Sequence, residues 1–278
     1  MNKDTNRIMA NINAYKMDGL GNNFLIIDKR INKVEINKDK IISIANENIF
    51  PFDQLITLEN DEKNEHSIKI FNPDGIEVSA CGNGARCVAY LIFNESRKKN
   101  IYIKTRERVL SAQIVGKKNV KINMGKPKFE WKEIPISESI DTKQVSIDIL
   151  NKEYGYGFCV NIGNPHIIFF VKDCLKINIK KLGPIIENYK LFPERINVSF
   201  AEILNKKNIK INVWERGAGQ TKACGTAACA VAIAAFKKAL VDKNLQINFK
   251  EGNLQIDCEN EIFMTGPVSD AVKIKLDI

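Results

Sequence analysis

Ala80-Cys81-Gly82-Asn83-Gly84-Ala85-Arg86-Cys87-Val88-Ala89 and Ala223-Cys224-Gly225-Thr226-Ala227-Ala228-Cys229-Ala230-Val231-Ala232 are near copies of each other. With Cys81 set on Cys224, Ala, Cys, Gly, Ala, Val and Ala coincide, and Gly84 faces Ala227. The offset is 143 residues, about half of the 278-residue chain. A repeat of that length marks a duplicated domain; solenoid units run to about 20–50 residues. Each copy begins with small residues, continues apolar and ends basic, at Arg97-Lys98-Lys99 and Lys237-Lys238. That grammar describes a buried helix whose closing charges suit its dipole.

Outward from both copies the sequence reads as strands. Short apolar or alternating runs lie at 24–28, 67–71, 101–105, 109–115 and 120–124, and again at 156–162, 167–171, 198–204 and 209–214, with further strands to the carboxyl end. A helix is predicted over 41–48, and the polar, proline-containing stretch 125–143 reads as a linker. The expectation is an α+β chain of two strand-rich halves, 1–124 and 125–267, with one buried helix each.

Composition narrows the function. With 44% apolar and 27% charged residues the chain has material for a core, which excludes wholesale disorder. The longest apolar run, Ala227 to Phe236, is ten residues, half of what a bilayer-spanning helix needs (about 20). The amino-terminal stretch MNKDTNRIMANINAYK has no apolar signal segment, so a cytoplasmic protein with no membrane association is expected. The net charge of +9 raises a basic nucleic-acid-binding protein as an alternative from another class. Lysine outnumbers arginine 34 to 8, however, and is scattered along the chain as a solvated surface; direct base and phosphate readers lean on arginine. Seven cysteines without a two-residue spacing, and only two histidines, argue against a disulfide framework, a zinc site or a paired redox motif. No metal is expected.

The chemistry lies in individual thiols. The first turn of a helix presents unpaired N–H groups and the positive end of the dipole. A thiol there is expected to ionise more readily, and the same amides bind a carboxylate. Gly82 and Gly225 let a ligand approach the backbone. Two such sites facing across a pseudo-twofold cleft would place one sulfur on each side of a substrate α-carbon. One thiolate would remove the α-proton while the opposite thiol delivers one to the other face, and fixed N–H donors would stabilise charge on the carboxylate. Cys87, Cys159, Cys174, Cys229 and Cys258 read as small buried hydrophobes.

These residues resemble the diaminopimelate epimerase family. The likeness runs from Lys16-Met17-Asp18-Gly19-Leu20-Gly21-Asn22 through Phe52-Asp53-Gln54-Leu55, Phe71-Asn72-Pro73-Asp74-Gly75, Cys81-Gly82-Asn83-Gly84-Ala85-Arg86, Gly163-Asn164-Pro165-His166, Phe192-Pro193-Glu194-Arg195-Ile196-Asn197 and Glu215-Arg216-Gly217-Ala218-Gly219 to Met264-Thr265-Gly266. Asp18, Asn23, Gln220 and Ala227 depart from residues usual in the family. The resemblance implies two similar α/β halves, each a curved, mostly antiparallel sheet wrapped around a central helix, with 268–278 returning to complete the first. It implies conversion of LL- to meso-diaminopimelate in lysine and cell-wall precursor biosynthesis, without a cofactor. Cys81 and Cys224 would be the acid/base thiols, with Glu215 and His166 assisting them or binding an ammonium group of the substrate. Gly82, Asn83, Gly225 and Thr226 would hold the reacting carboxylate; Asn72, Asn164, Asn197 and Arg216 would receive the distal one, beside Asn22 and Gln54. The related alternative is a proline racemase or hydroxyproline epimerase, which needs one carboxylate site only. The expected partner is the small-molecule substrate; a homodimer is left open.

Overall fold

The computed structural model describes residues 11–47, 50–78, 81–106, 108–148 and 150–277. The amino-terminal ten residues, Asn48 at the end of the predicted helix, Ala80 at the start of the first repeat, and Ile278 lie outside them. The helices among the described residues are α1 (Lys38–Glu47), α2 (Gly82–Ser96), α3 (Asn151–Tyr154), α4 (Ile179–Glu187) and α5 (Gly225–Lys237). The repeat accounts for α2 and α5, and Cys81 and Cys224 are their N-cap residues.

The strands around each of these helices pair in one order, used twice. Asn23–Asp28 is parallel to Gln54–Asp61, which is antiparallel to Glu65–Phe71, which is parallel to Asn100–Lys104; Val109–Gly116 and Asn119–Gly125 continue antiparallel. Pro165–Phe170, Asn197–Asn205, Asn208–Glu215, Asn244–Phe249, Gly252–Cys258 and Ile262–Pro267 repeat that series with parallel and antiparallel pairs in the same places. A parallel pair needs a crossover connection. In chain order α1, α2, α4 and α5 fall within those four crossovers. Asn119–Gly125 also pairs with Ile262–Pro267, which fuses both series into one continuous sheet. Val272–Asp277 pairs with Asn11–Asp18.

α5 is buried on every face from Gly225 to Ala235, and α2 from Gly82 to Ile92. A helix without a polar face must be enclosed. Strands of both series supply the enclosure, and one apolar cluster spans both helices. Alanine at six of the eleven buried positions of α5 keeps that helix thin enough to be wrapped.

Two local expectations are corrected, and one helix is added. The stretch 125–143 is no free linker: Ile134 and Ile136 are buried in the second half's outer cluster, and Lys128 forms a bridge with Asn161. α4 was not foreseen, because Gly183 and Pro184 interrupt its pattern; it starts on Asn178, whose side chain accepts the Lys181 N–H at 3.2 Å. The basic residues at 97–99 lie beyond α2, where Arg97 closes the helix in a left-handed conformation (φ 61°).

Candidate active site

The first residues of α2 and α5 line one cleft of about 380 Å³. Of the residues singled out from sequence, Asn22, Gln54, Asn72, Cys81, Gly82, Asn83, Asn164, Glu215, Cys224, Gly225 and Thr226 line it. The duplication explains how they converge. Gln54 and Asn197 each begin the second strand of a series, separated by the same 143 residues as the two cysteines; Asn72, just after one third strand, and Glu215, the last residue of the other, keep that spacing.

Cys81 Sγ accepts the Gly84 N–H at 3.4 Å, and Cys224 Sγ lies 3.4 Å from Thr226 Oγ1. Burial pushes the Cys81 thiol up to about 11 and the Glu215 charge adds to it, whereas the Gly84 and Asn83 amides and the Arg86 cation act downward. Cys224 is raised well above the ordinary thiol range, first by burial and then by Glu215, against Thr226 and the Ala227 amide. The helix-end amides therefore act in the expected direction, but desolvation outweighs them, and both thiols are protonated at neutral pH. This corrects the expectation of easier ionisation. Burial also raises the Glu215 carboxyl above its usual range, partly offset by the Thr221 hydroxyl and the Cys224 thiol.

Both helices begin on a glycine that lies against the same methionine. A Cβ at Gly82 would sit 2.6 Å from Met264 Cε, and one at Gly225 would sit 2.9 Å from Met264 Sδ and 3.2 Å from Asn83 Oδ1. Met264 is thus wedged between the helix starts. Beside it the Asn83 carboxamide donates to Asn22 Oδ1 at 2.7 Å and accepts from Arg86 Nη1 at 2.9 Å. Gln54 donates to Asn72 Oδ1 at 3.3 Å.

His166, Asn197 and Arg216 are not among the residues lining the cleft. His166 is fully buried, and its Nε2 pairs with Asn164 Oδ1 at 2.8 Å. Burial, with Arg216 second, lowers its pKa to about 3, so the ring is neutral. Asn197 donates to the Pro165 carbonyl and accepts the Arg216 N–H at 2.9 Å, which ties down the loop after Glu215. The Arg216 guanidinium rests on the Glu194 carbonyl at 3.0 Å. Sequence reasoning missed four polar lining residues: Asp53, Gln220, Thr221 and Lys222. Asp53 adjoins Gln54, and Thr221-Lys222 fills the gap between the Glu-Arg loop and Cys224, so contiguity with recognised residues was the available signal. Among the described residues no three His, Cys, Asp or Glu side chains gather as a metal ligand set.

The family model for diaminopimelate epimerase matches residues 14–130 and 158–270. The chain belongs to the diaminopimelate epimerase family. A protein of that name from Pelagibacter ubique is 46% identical over 272 residues, covering 96% of this chain and 99% of the relative. Another, from the Wolbachia of Brugia malayi, is 40% identical over 264 residues, covering 94% and 99%. Among solved structures, a Bacillus anthracis protein of the phenazine biosynthesis PhzF family superposes with a TM-score of 0.69 at 16% identity, covering 97% of this chain and all of that one. A probable proline racemase from Agrobacterium radiobacter gives 0.68 at 12% identity, covering 96% and 93%. At such identities the likeness is one of fold. The diaminopimelate epimerase relatives, far closer in sequence, favour that family over the proline racemase alternative.

Proposed function

We propose that the protein is a diaminopimelate epimerase, interconverting the LL and meso forms through Cys81 and Cys224. The observation that carries this reading is the lining of one small cleft by both N-cap thiols. A thiolate on one side takes the α-proton, and the opposing thiol gives its proton to the other face, so the two sulfurs exchange protonation states in each turnover. The amides at Gly82, Asn83, Gly225 and Thr226 face the reacting carboxylate and stabilise the charge that develops on it. Burial, which keeps the resting thiols neutral, makes the thiolate a stronger base once formed. Glu215, beside Cys224, holds that thiol in its protonated, donating form; His166, neutral and off the cleft, acts by orienting Asn164.

The distal ammonium and carboxylate meet Asp53, Lys222 and the Asn22, Gln54, Asn72 and Asn164 carboxamides. Arg216 engages the distal carboxylate by exchanging its hold on the Glu194 carbonyl. The same reading divides the chain near residue 124, with the last strand returned to the first half. No helix among the described residues is long and apolar enough to cross a membrane; a cytoplasmic enzyme that uses no cofactor and binds no nucleic acid is inferred, and sedimentation decides between monomer and homodimer. The test is a panel of reduced protein with diaminopimelate isomers, proline and hydroxyproline, read by chiral chromatography. Inversion of diaminopimelate alone is expected; inversion of proline or hydroxyproline in its place overturns the assignment.

A further inference from the structure

Arg86 has no charged counterpart in the second helix, where Cys229 stands at the matching position. Its side chain is fully buried. Nη1 donates to Asn83 Oδ1 at 2.9 Å and lies 3.5 Å from Met264 Sδ. Among the described residues, Nε and Nη2 have no hydrogen-bond partner and no carboxylate forms an ion pair with the guanidinium. The backbone of Ile262–Pro267 closes over it: a Cβ at Gly266 would lie 3.0 Å from Arg86 Cζ. An unpaired buried cation opposes folding, and an apolar side chain of similar length would fill the space at no such cost. Packing therefore does not explain it.

We propose that Arg86 is a positioning residue for the epimerisation, clamping the Asn83 carboxamide at the seam between the two helix starts and placing a fixed positive charge behind Cys81. The inference rests on the reading of Cys81 and Cys224 as the acid/base pair. Because Arg86 has only donors, it takes the carboxamide oxygen, and Asn83 must turn its nitrogen to Asn22 Oδ1. That leaves the Asn22 amide nitrogen as the donor presented at the cleft. Three residues thus form a one-way chain of donors directed at a substrate carboxylate.

The charge also separates the two thiols. Cys81 feels Arg86 on its own helix and Glu215 from the second half; Arg86 in turn faces Cys87 on its own helix, Asp18 at the end of the first strand and Cys229 on α5. Cys224 is dominated by burial and Glu215. The duplicated sites are therefore chemically unequal, with Cys81 the readier thiolate.

The test uses reduced full-length protein without substrate. Alkylation by iodoacetamide between pH 7.5 and 9.5 is followed separately at Cys81 and Cys224 by peptide mass spectrometry, in wild type, Arg86→Met and Arg86→Lys. Arg86→Met is expected to slow Cys81 about tenfold, one pKa unit of lost charge stabilisation, and to change Cys224 much less, without a fall in Tm. Arg86→Lys, which keeps the charge and a donor, is expected to restore the Cys81 rate. KM for diaminopimelate is expected to rise in Arg86→Met. Unchanged Cys81 reactivity in Arg86→Met, equal slowing of both thiols, no rescue by lysine, or failure of Arg86→Met to fold each overturns the proposal. Absence of diaminopimelate inversion by the wild type would instead overturn the functional reading and leave the alkylation result standing.

Discussion

Adding one methyl group at Gly225 is expected to damage both stability and turnover. The new Cβ would lie 2.9 Å from Met264 Sδ and 3.2 Å from both Met264 Cε and Asn83 Oδ1. Non-bonded heavy atoms of this kind rest about 3.5–4.0 Å apart, so the sulfur must retreat by roughly 0.6–1 Å. Met264 is fully buried and its methyl group already lies against Gly82, so the movement has to be made within a packed core. Overpacking of a closed core costs about 1–3 kcal/mol. Each kcal/mol lowers Tm by about 2–4 °C in domains of this size, so a fall of about 2–12 °C is expected for Gly225→Ala. The displacement also reaches Asn83 and, through it, Asn22 and Arg86, so kcat/KM for inversion should drop by about tenfold to a hundredfold, the loss that misplacement near 1 Å produces. The assay is thermal unfolding and initial inversion rate for Gly225→Ala, Met264→Ala and the double variant. Met264→Ala alone opens a cavity costing about 2–5 kcal/mol; the added Gly225 methyl group should recover part of it, giving a coupling of about 0.5–3 kcal/mol. Wild-type Tm and turnover in Gly225→Ala, or strict additivity in the double variant, would refute the contact between the helix starts through Met264.

Two further perturbations read the electrostatics. Glu215 raises both thiols, so removing its charge in Glu215→Gln lowers their pKa, and iodoacetamide should alkylate Cys81 and Cys224 at a pH about one unit lower than in wild type; an upward displacement contradicts the arrangement. His166 has its pKa lowered from 6.5 to about 3 in the folded protein. Its contribution to stability is complete above pH 6.5 and is lost as the pH falls towards 3, because the unfolded chain takes up the proton first. The urea midpoint of wild type should therefore fall more between pH 7 and pH 5 than that of His166→Gln, and equal falls would show that His166 is not held neutral.

The duplication was readable because both helix starts are built alike: each sets a glycine against Met264, and each follows an N-cap cysteine whose backbone is extended. The burial of α5 followed from an apolar run too short for a membrane and too uniform for a surface. What escaped depends on tertiary surroundings. The direction of the thiol shifts is decided by how completely the sheet encloses the cleft, which a helix-terminus argument at Cys81 and Cys224 does not contain. α4 hid behind Gly183 and Pro184, and the packing of 125–143 turned on Ile134 and Ile136, two apolar residues in a polar stretch. Asn197 was identified as a residue of interest, yet its carboxamide is spent on the Pro165 carbonyl and the Arg216 N–H. Arg86 stands in plain view within the first repeat, but its burial without a counter-charge depends on the distant strand Ile262–Pro267 that closes over it.

Isotope exchange with single-thiol variants probes the two-sulfur chemistry most directly. Reduced wild type, Cys81→Ala and Cys224→Ala are each incubated with LL-diaminopimelate in deuterium oxide, and initial product is resolved by chiral chromatography with mass detection. Wild type should yield meso product carrying one solvent deuterium at the inverted carbon, and each variant should lose inversion by at least about 10²–10⁴-fold. Inversion at the wild-type rate in either variant, or product that keeps its original α-hydrogen, would contradict a pair of opposed thiols.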